Sequence, residues 1–207
     1  ARAITSSVAV NASYLADQIG EFVAPWNVQL SVELEPLGTA GAIRPLLAWL
    51  EGRDLLILNG DTWLEHELNY LVTGWDRLRP RLLVKNVGQP SDFGERRFVG
   101  ASLLPFEHCA GIPPGSSGLY EAVWRHHLDN LDLVDIRGQA FDCGTPAEFL
   151  AANLYASGGR AVVHPTAHPG GEVLESVFLK GSSSPPGHRS VREVRDAYGN
   201  VVVVPPE

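Results

Sequence analysis

Apolar and polar positions alternate in two rhythms along the first three quarters of the chain. Val8-Ala9-Val10 is a short apolar run ending at Asn11 and predicts a strand. From Ser13 to Ala24, Leu15, Ile19, Phe22 and Val23 share one face at helical period. Val28, Leu30 and Val32 alternate with Gln29, Ser31 and Glu33, which is strand spacing. After the turn Glu35 to Gly41, helical spacing returns at Ile43, Leu46, Leu47 and Leu50, and Pro45 should bend that helix or delay its start. Asp54 to Asn59 is an almost continuous apolar run, the pattern of a strand covered on both faces. Leu64, Leu68, Leu71, Val72 and Trp75 outline another helix. Arg81 to Val87 and Phe98 to Leu104 predict strands, and Ser117 predicts the cap of a helix through Leu128. Leu131 to Ile136 and Gln139 to Asp142 predict two short strands.

The sharpest local signal is Thr145-Pro146-Ala147-Glu148. A threonine cap, a proline at the first helical position and a glutamate three residues on make a capping box. The helix it opens runs through Leu150 and Leu154 and stops at Gly158-Gly159. Strand and helix in alternation predict an α/β protein with a mostly parallel sheet and helices on both faces. Beyond Gly159 the helical period disappears and short β pieces recur between Gly, Pro and Ser. The expected organisation is therefore an α/β domain over 1–159 and a β-rich tail over 160–207.

Composition narrows the chemistry. The 207 residues are 44% hydrophobic and 19% charged, ample for a real core. Sixteen basic and 24 acidic residues give a net charge of −8, which disfavours nucleic acid and anionic membrane as partners. Two cysteines, Cys109 and Cys143, make neither a disulfide framework nor a four-thiolate zinc site, and a reduced cytoplasmic setting is expected. No apolar run reaches the roughly 18 residues of a membrane span. The sequence contains no methionine, so an upstream part of the natural chain is expected.

In an open α/β sheet, ligands bind beyond the carboxyl ends of the strands. Asp61 follows the Leu55–Asn59 run and Asp142 ends the Gln139–Phe141 run. Two carboxylates at neighbouring strand ends suit Mg²⁺, which takes one or two protein carboxylates together with substrate phosphates. Read separately, each has a plainer explanation. Asn59-Gly60-Asp61 is ordinary turn chemistry, and Asp142 stands just before a helix whose N-terminus favours a carboxylate. Gly38-Thr39-Ala40-Gly41 lies between a strand and a helix, where small residues admit a ligand and N–H groups favour anions or ring acceptors. It also reads as a plain turn. His164 and His168 have a zinc-pair spacing, but Pro165 and Pro169 argue against the helix it needs.

In order along the chain, four stretches resemble the sugar-1-phosphate nucleotidylyltransferase family (the NDP-sugar pyrophosphorylases). They are Val10-Asn11-Ala12-Ser13-Tyr14-Leu15, Glu33 to Ala42 around Pro36-Leu37-Gly38-Thr39-Ala40-Gly41, Leu58-Asn59-Gly60-Asp61, and Asp142-Cys143-Gly144-Thr145-Pro146. By motif the likeness is to the mannose-1-phosphate guanylyltransferase and N-acetylmuramate-1-phosphate uridylyltransferase types. The resemblance implies a Rossmann-like fold that binds a nucleoside triphosphate and a sugar 1-phosphate. Glu33, Leu37, Gly38 and Thr39 would border the nucleobase, Asn59 and Gly60 would line the nucleotide, and Gly100 would face the sugar. Asp61 and Asp142 would be the catalytic residues, holding Mg²⁺. The tail resembles the left-handed β-helix hexapeptide repeats of many members, through which self-association into a homo-oligomer is expected.

The family also opens with a first strand and a Gly-Gly-x-Gly-x-Arg-x-x-Pro loop, followed by a lysine, and these are not in this sequence. The usual Glu-Lys-Pro sugar element is absent between Val84 and Gly100. The expectation is a chain that starts around the family's second strand. It is then either an incomplete copy of a longer enzyme or a non-catalytic nucleotide-sugar-binding or regulatory subunit. The intact Asp61, Asp142 and capping box favour the enzyme.

Overall fold

The computed structural model describes residues 1–65 and 68–206. The first apolar run forms β1 (Ala9–Ala12), followed by α1 (Ala16–Val23) and β2 (Gln29–Val32). β1 and β2 pair in parallel, Ala9 opposite Gln29 and Ala12 opposite Val32. The next helical stretch is divided into α2 (Gly38–Gly41), a 3₁₀ turn at Arg44–Leu46 and α3 (Leu47–Leu50). Pro45 lies in that turn, where its missing N–H interrupts the helical ladder as the sequence predicts. There follow β3 (Leu55–Leu58), β4 (Thr62–Leu64), α4 (Leu68–Val72), β5 (Arg81–Ser91) and β6 (Gly94–Leu104). The expected Leu64–Trp75 helix is shorter than its pattern, because Leu64 belongs to a strand; its positions 66 and 67 lie outside the described residues.

After β6 come α5 (Phe106–Ala110), α6 (Leu119–Ala122), β7 (Asp132–Asp135), β8 (Ala140–Asp142) and α7 (Pro146–Ser157). The helix expected from Ser117 to Leu128 does not form as one piece. α6 starts after Gly118 with no side-chain cap, and 3₁₀ turns take over at Trp124–His126 and Leu128–Asn130. α7 matches its sequence signature. Thr145 Oγ1 accepts from the Glu148 N–H at 3.2 Å, Pro146 is the first helical residue, and Gly158 closes the helix at φ 66°.

The chain divides into two compact units, Ala1–Leu58 with His66–Arg137, and Asn59–Glu65 with Gly138–Glu207. In the first unit a four-stranded sheet runs in the order β3-β6-β5-β7. This sheet is mixed. β5 and β7 are parallel, but β6 is antiparallel to both β3 and β5, because β5 and β6 form a hairpin. One face of the sheet packs Leu82, Val84 and Leu104 against Ala40, Ile43 and Leu50 of the α2–α3 segment. Cys109 is buried in the same core, and its thiol is pushed up to about 12 by burial and then by the Asp54 carboxylate.

In the second unit β4 pairs with β8, and the tail adds β9 (Val162–Val163), β10 (Val173–Leu174), β11 (Val177–Phe178), β12 (Ser190–Val191), β13 (Glu193–Arg195) and β14 (Val201–Val203). β9, β11 and β13 stack as parallel rungs, with Val162, Val177 and Val194 in register, while β10 stacks on β12. Leu150 of α7 is buried with Val177 and Val204, so α7 shares its core with the tail although the sequence texture changes only at Gly159. Among the described residues no helix is long and apolar enough to cross a membrane.

One buried cation ties the first unit together. Arg81, 8% exposed, sends its guanidinium to the carbonyls of Leu71, Thr73 and Gly74 at 2.9–3.0 Å and to Asp132 at 2.7 Å. It thereby satisfies carbonyls at the end of α4 and joins that helix to β5 and β7. Arg81→Met, which keeps the aliphatic bulk, leaves Asp132 and three carbonyls unpaired. It should cost about 3 kcal/mol, measured by urea denaturation.

Candidate functional site

Asp61 and Asp142 come together through the ladder between β4 and β8. Thr62 pairs with Asp142, Trp63 with Phe141 and Leu64 with Ala140. The ladder is extended at one end by the Cys143 N–H, which donates to the Asp61 carbonyl at 2.6 Å, and at the other by the Glu65 N–H donating to Gln139. The two acidic residues therefore stand at the same end of one antiparallel pair. A β-carbon built on Gly144 would lie 3.1 Å from Asp142 Oδ1 and 3.7 Å from Asp61 Oδ2, so both carboxylates face the same vacant position. The Gly144 N–H donates to Asp142 Oδ1 at 3.1 Å and holds that rotamer. Both aspartates are exposed, which keeps a pair of like charges tolerable.

A two-stranded ladder is marginal by itself. Here α7 covers it. Trp63, Phe141 and Tyr155 pack ring against ring with centroids 5.5–5.9 Å apart. The Tyr155 hydroxyl donates to Glu65 Oε2 at 2.6 Å, and that bond raises the tyrosine pKa. Cys143, between the ladder and Gly144, has its thiol pushed up by partial burial and by the nearby Asp142, Asp61 and Glu148 charges. Its sulfur is thus held as a thiol. Among the described residues no group of three or more His, Cys, Asp and Glu side chains is placed to hold a metal. The donor set is two carboxylates around an open position. That fits Mg²⁺, which leaves most of its coordination to water and phosphate oxygens.

The second cluster lies in the first unit. Glu33, 6% exposed, follows β2 and accepts from Asn11 Nδ2 and from the Leu37 N–H, each at 3.1 Å. The turn after Leu37 is closed by Ser117, whose N–H donates to the Leu37 carbonyl at 2.8 Å. The Ser117 carbonyl accepts from the Ala40 and Gly41 N–H groups at 3.0 and 3.2 Å. Two of the N–H groups that the sequence offers to a ligand are therefore consumed internally. Among the described residues, those of Gly38 and Thr39 have no partner, and both residues are exposed. Gly38 has φ +71°, and a β-carbon there would lie 2.6 Å from the Ser117 carbonyl oxygen.

Asn59 is half-buried and Gly60 exposed, directly before Asp61. Gly100 is buried inside β6 at φ +82°, where the β5–β6 register shifts, so its conformation alone calls for glycine. Asn11, Ser117 and Gly144 are not assigned to the site by the sequence reading. The suitability of Ser117 as a helix cap masks it, and the threonine–proline signal that follows Gly144 masks that glycine. His164 and His168 lie in the tail rather than on a helix, and His164 Nδ1 is bonded to Thr166 Oγ1 at 3.0 Å.

No family model matches the sequence. The fold is similar to that of a mannose-1-phosphate geranyltransferase from Thermus thermophilus, with TM-score 0.66 and 14% identity over 95% of this chain and 79% of that one. HddC from Yersinia pseudotuberculosis, solved in complex with GMP-PN, matches at TM-score 0.56 and 20% identity over 70% and 76%. A UDP-glucose pyrophosphorylase from Acinetobacter baumannii matches at TM-score 0.52 and 17% identity over 67% and 66%. The chain has the Rossmann-like α/β fold of the sugar-1-phosphate nucleotidyltransferases, as its motifs suggest.

Closure of the turn by Ser117 has a direct consequence. Gly38→Ala places a side chain in a left-handed backbone conformation and against a carbonyl, and should destabilise the protein by about 1–2 kcal/mol in chemical denaturation.

Proposed function

We propose that the chain is part of a cytoplasmic enzyme that transfers a nucleoside monophosphate from a nucleoside triphosphate to a sugar 1-phosphate. The products are an NDP-sugar and pyrophosphate. The observation that carries this reading is the meeting of the Asp61 and Asp142 carboxylates at the Gly144 position. The motif resemblance and the fold of the nucleotidyltransferases support it.

The reaction is a displacement in line at phosphorus. An oxygen of the sugar 1-phosphate forms a bond to the α-phosphorus as the bond to pyrophosphate breaks, so no protein nucleophile is required. Catalysis then consists of positioning and charge neutralisation. A divalent cation supplies the neutralisation when bound, offsetting the repulsion between two phosphate-bearing anions. Asp61 and Asp142 would hold it, Asp142 with its rotamer set by the Gly144 N–H and Asp61 with its backbone anchored to Cys143. In the first unit, the free N–H groups of Gly38 and Thr39 suit ring acceptors of a nucleobase. The Glu33 carboxylate holds this turn through the Leu37 N–H and would border the base beside Leu37, as the resemblance assigns it. Asn59 and Gly60 would line the nucleotide, and Gly100 the sugar side, as the resemblance assigns them.

Pyrophosphate release by the natural full-length protein, measured across a panel of nucleoside triphosphates and sugar 1-phosphates, tests the reaction. Asp61→Asn should lower kcat at least a hundredfold with an unchanged melting temperature. Full activity in that variant would remove the carboxylate pair from the mechanism. Tight binding of an NDP-sugar by the wild type with no turnover of any pair would assign a non-catalytic binding subunit instead.

Self-association through the tail belongs to the same reading. β14 ends its sheet, pairs only with β13 among the described residues, and exposes Val201, Val202 and Val203. Such an uncharged edge invites pairing with a second copy. Sedimentation equilibrium should report an oligomer that Val202→Lys dissociates, and a monomeric wild type would refute it.

A further inference from the structure

Glycine is chosen at a position for its backbone freedom, for close packing of another chain segment, or to leave room for a ligand. At Gly144 the first two reasons fail. Its φ is not in the left-handed region, so any L residue can adopt this backbone. Nor does another backbone or an apolar side chain press on it. Among the described residues, and apart from its neighbours Cys143 and Thr145, the atoms within 4 Å of a β-carbon built there are Asp142 Oδ1 at 3.1 Å and Asp61 Oδ2 at 3.7 Å. Gly138, two residues before β8, shows the contrast: a β-carbon there would collide with the Glu65 carbonyl. Gly38 and Gly41 would likewise collide with the backbone of Ser117 and Gly115, at 2.6 and 2.7 Å.

We infer that Gly144 is a positioning residue whose missing side chain keeps open the space between the two carboxylates for a divalent cation and the phosphate oxygens it carries. The inference rests on the reading of Asp61 and Asp142 as cation-binding. A cation the size of Mg²⁺ lies about 2.0–2.1 Å from its oxygen ligands. A methyl group there would stand 3.1 Å from Asp142 Oδ1 and 3.7 Å from Asp61 Oδ2, beside the oxygens that would hold the cation. It also pushes the exposed Asp142 carboxylate aside by a few tenths of an ångström, while the backbone N–H that holds it is kept. The backbone tolerates the methyl group and the ligand site does not. Alanine at this position should therefore affect binding without affecting the fold.

Mn²⁺ alone serves as the probe, titrated into the full chain and followed by water-proton relaxation. Three proteins are compared: wild type, Gly144→Ala and Asp61→Asn. Gly144→Ala should weaken Mn²⁺ binding at least tenfold while its metal-free melting temperature stays at the wild-type value. If Gly144→Ala binds like wild type and Asp61→Asn does not bind, the carboxylate site stands and the role given to Gly144 is wrong. If Gly144→Ala melts lower than wild type without metal, the glycine serves the fold and the inference also fails. If wild type itself binds no Mn²⁺, the cation reading of Asp61 and Asp142 falls, and this inference with it.

Discussion

The arrangement depends on holding two like charges at one end of a two-stranded ladder. Two full charges about 5 Å apart in water repel by roughly 1 kcal/mol, and by several times that where water is excluded. The second unit keeps the penalty small by leaving Asp61 and Asp142 exposed and by aiming the Gly144 N–H at one of them. Repulsion that is tolerable at the surface is also what makes such a pair receptive to a cation. Everything proposed for the chemistry follows from that placement.

The placement is held from behind. Thr62 opposite Asp142 sets the register, and a slip of one residue would turn one carboxylate to the other face. Trp63 and Phe141 lie directly opposite one another, and Tyr155 of α7 closes over both. The hydroxyl of Tyr155 reaches Glu65, the residue that follows β4. Thr145 starts α7 three residues after Asp142, so the helix that shields the aromatic side of the ladder grows from the strand that carries the carboxylate. α7 in turn buries Leu150 against Val177 and Val204 of the tail. The tail therefore packs on the helix that backs the acidic pair, although none of its residues belongs to that pair.

The turn at Leu37–Gly41 follows a different logic. A buried carboxylate needs hydrogen-bond donors, and Glu33 finds them in Asn11 from β1 and in the Leu37 N–H. Ser117 then supplies a carbonyl for two N–H groups at the start of α2, a service usually performed by a side-chain cap. The result is a tight loop with two exposed amides, at Gly38 and Thr39, rather than an open helix end.

Much of the secondary structure was legible in the sequence because local rules decide it. The capping box at Thr145, the break at Pro45 and the alternation in Val28–Val32 each depend on neighbours within a few residues, and each appears where the pattern puts it. The α/β class followed from their order. Pairing between distant segments was not legible. Leu64 looks like the start of a helix by period, and ends a strand instead because Ala140–Asp142 pairs with Thr62–Leu64. Ser117 has the chemistry of a cap, yet its backbone is spent on a turn about eighty residues upstream. The sequence by itself determined which residues carry the charge and which segments are apolar, since composition and period are written along the chain. Only the tertiary structure decided that two carboxylates face one missing side chain, because that meeting is a matter of register between strands.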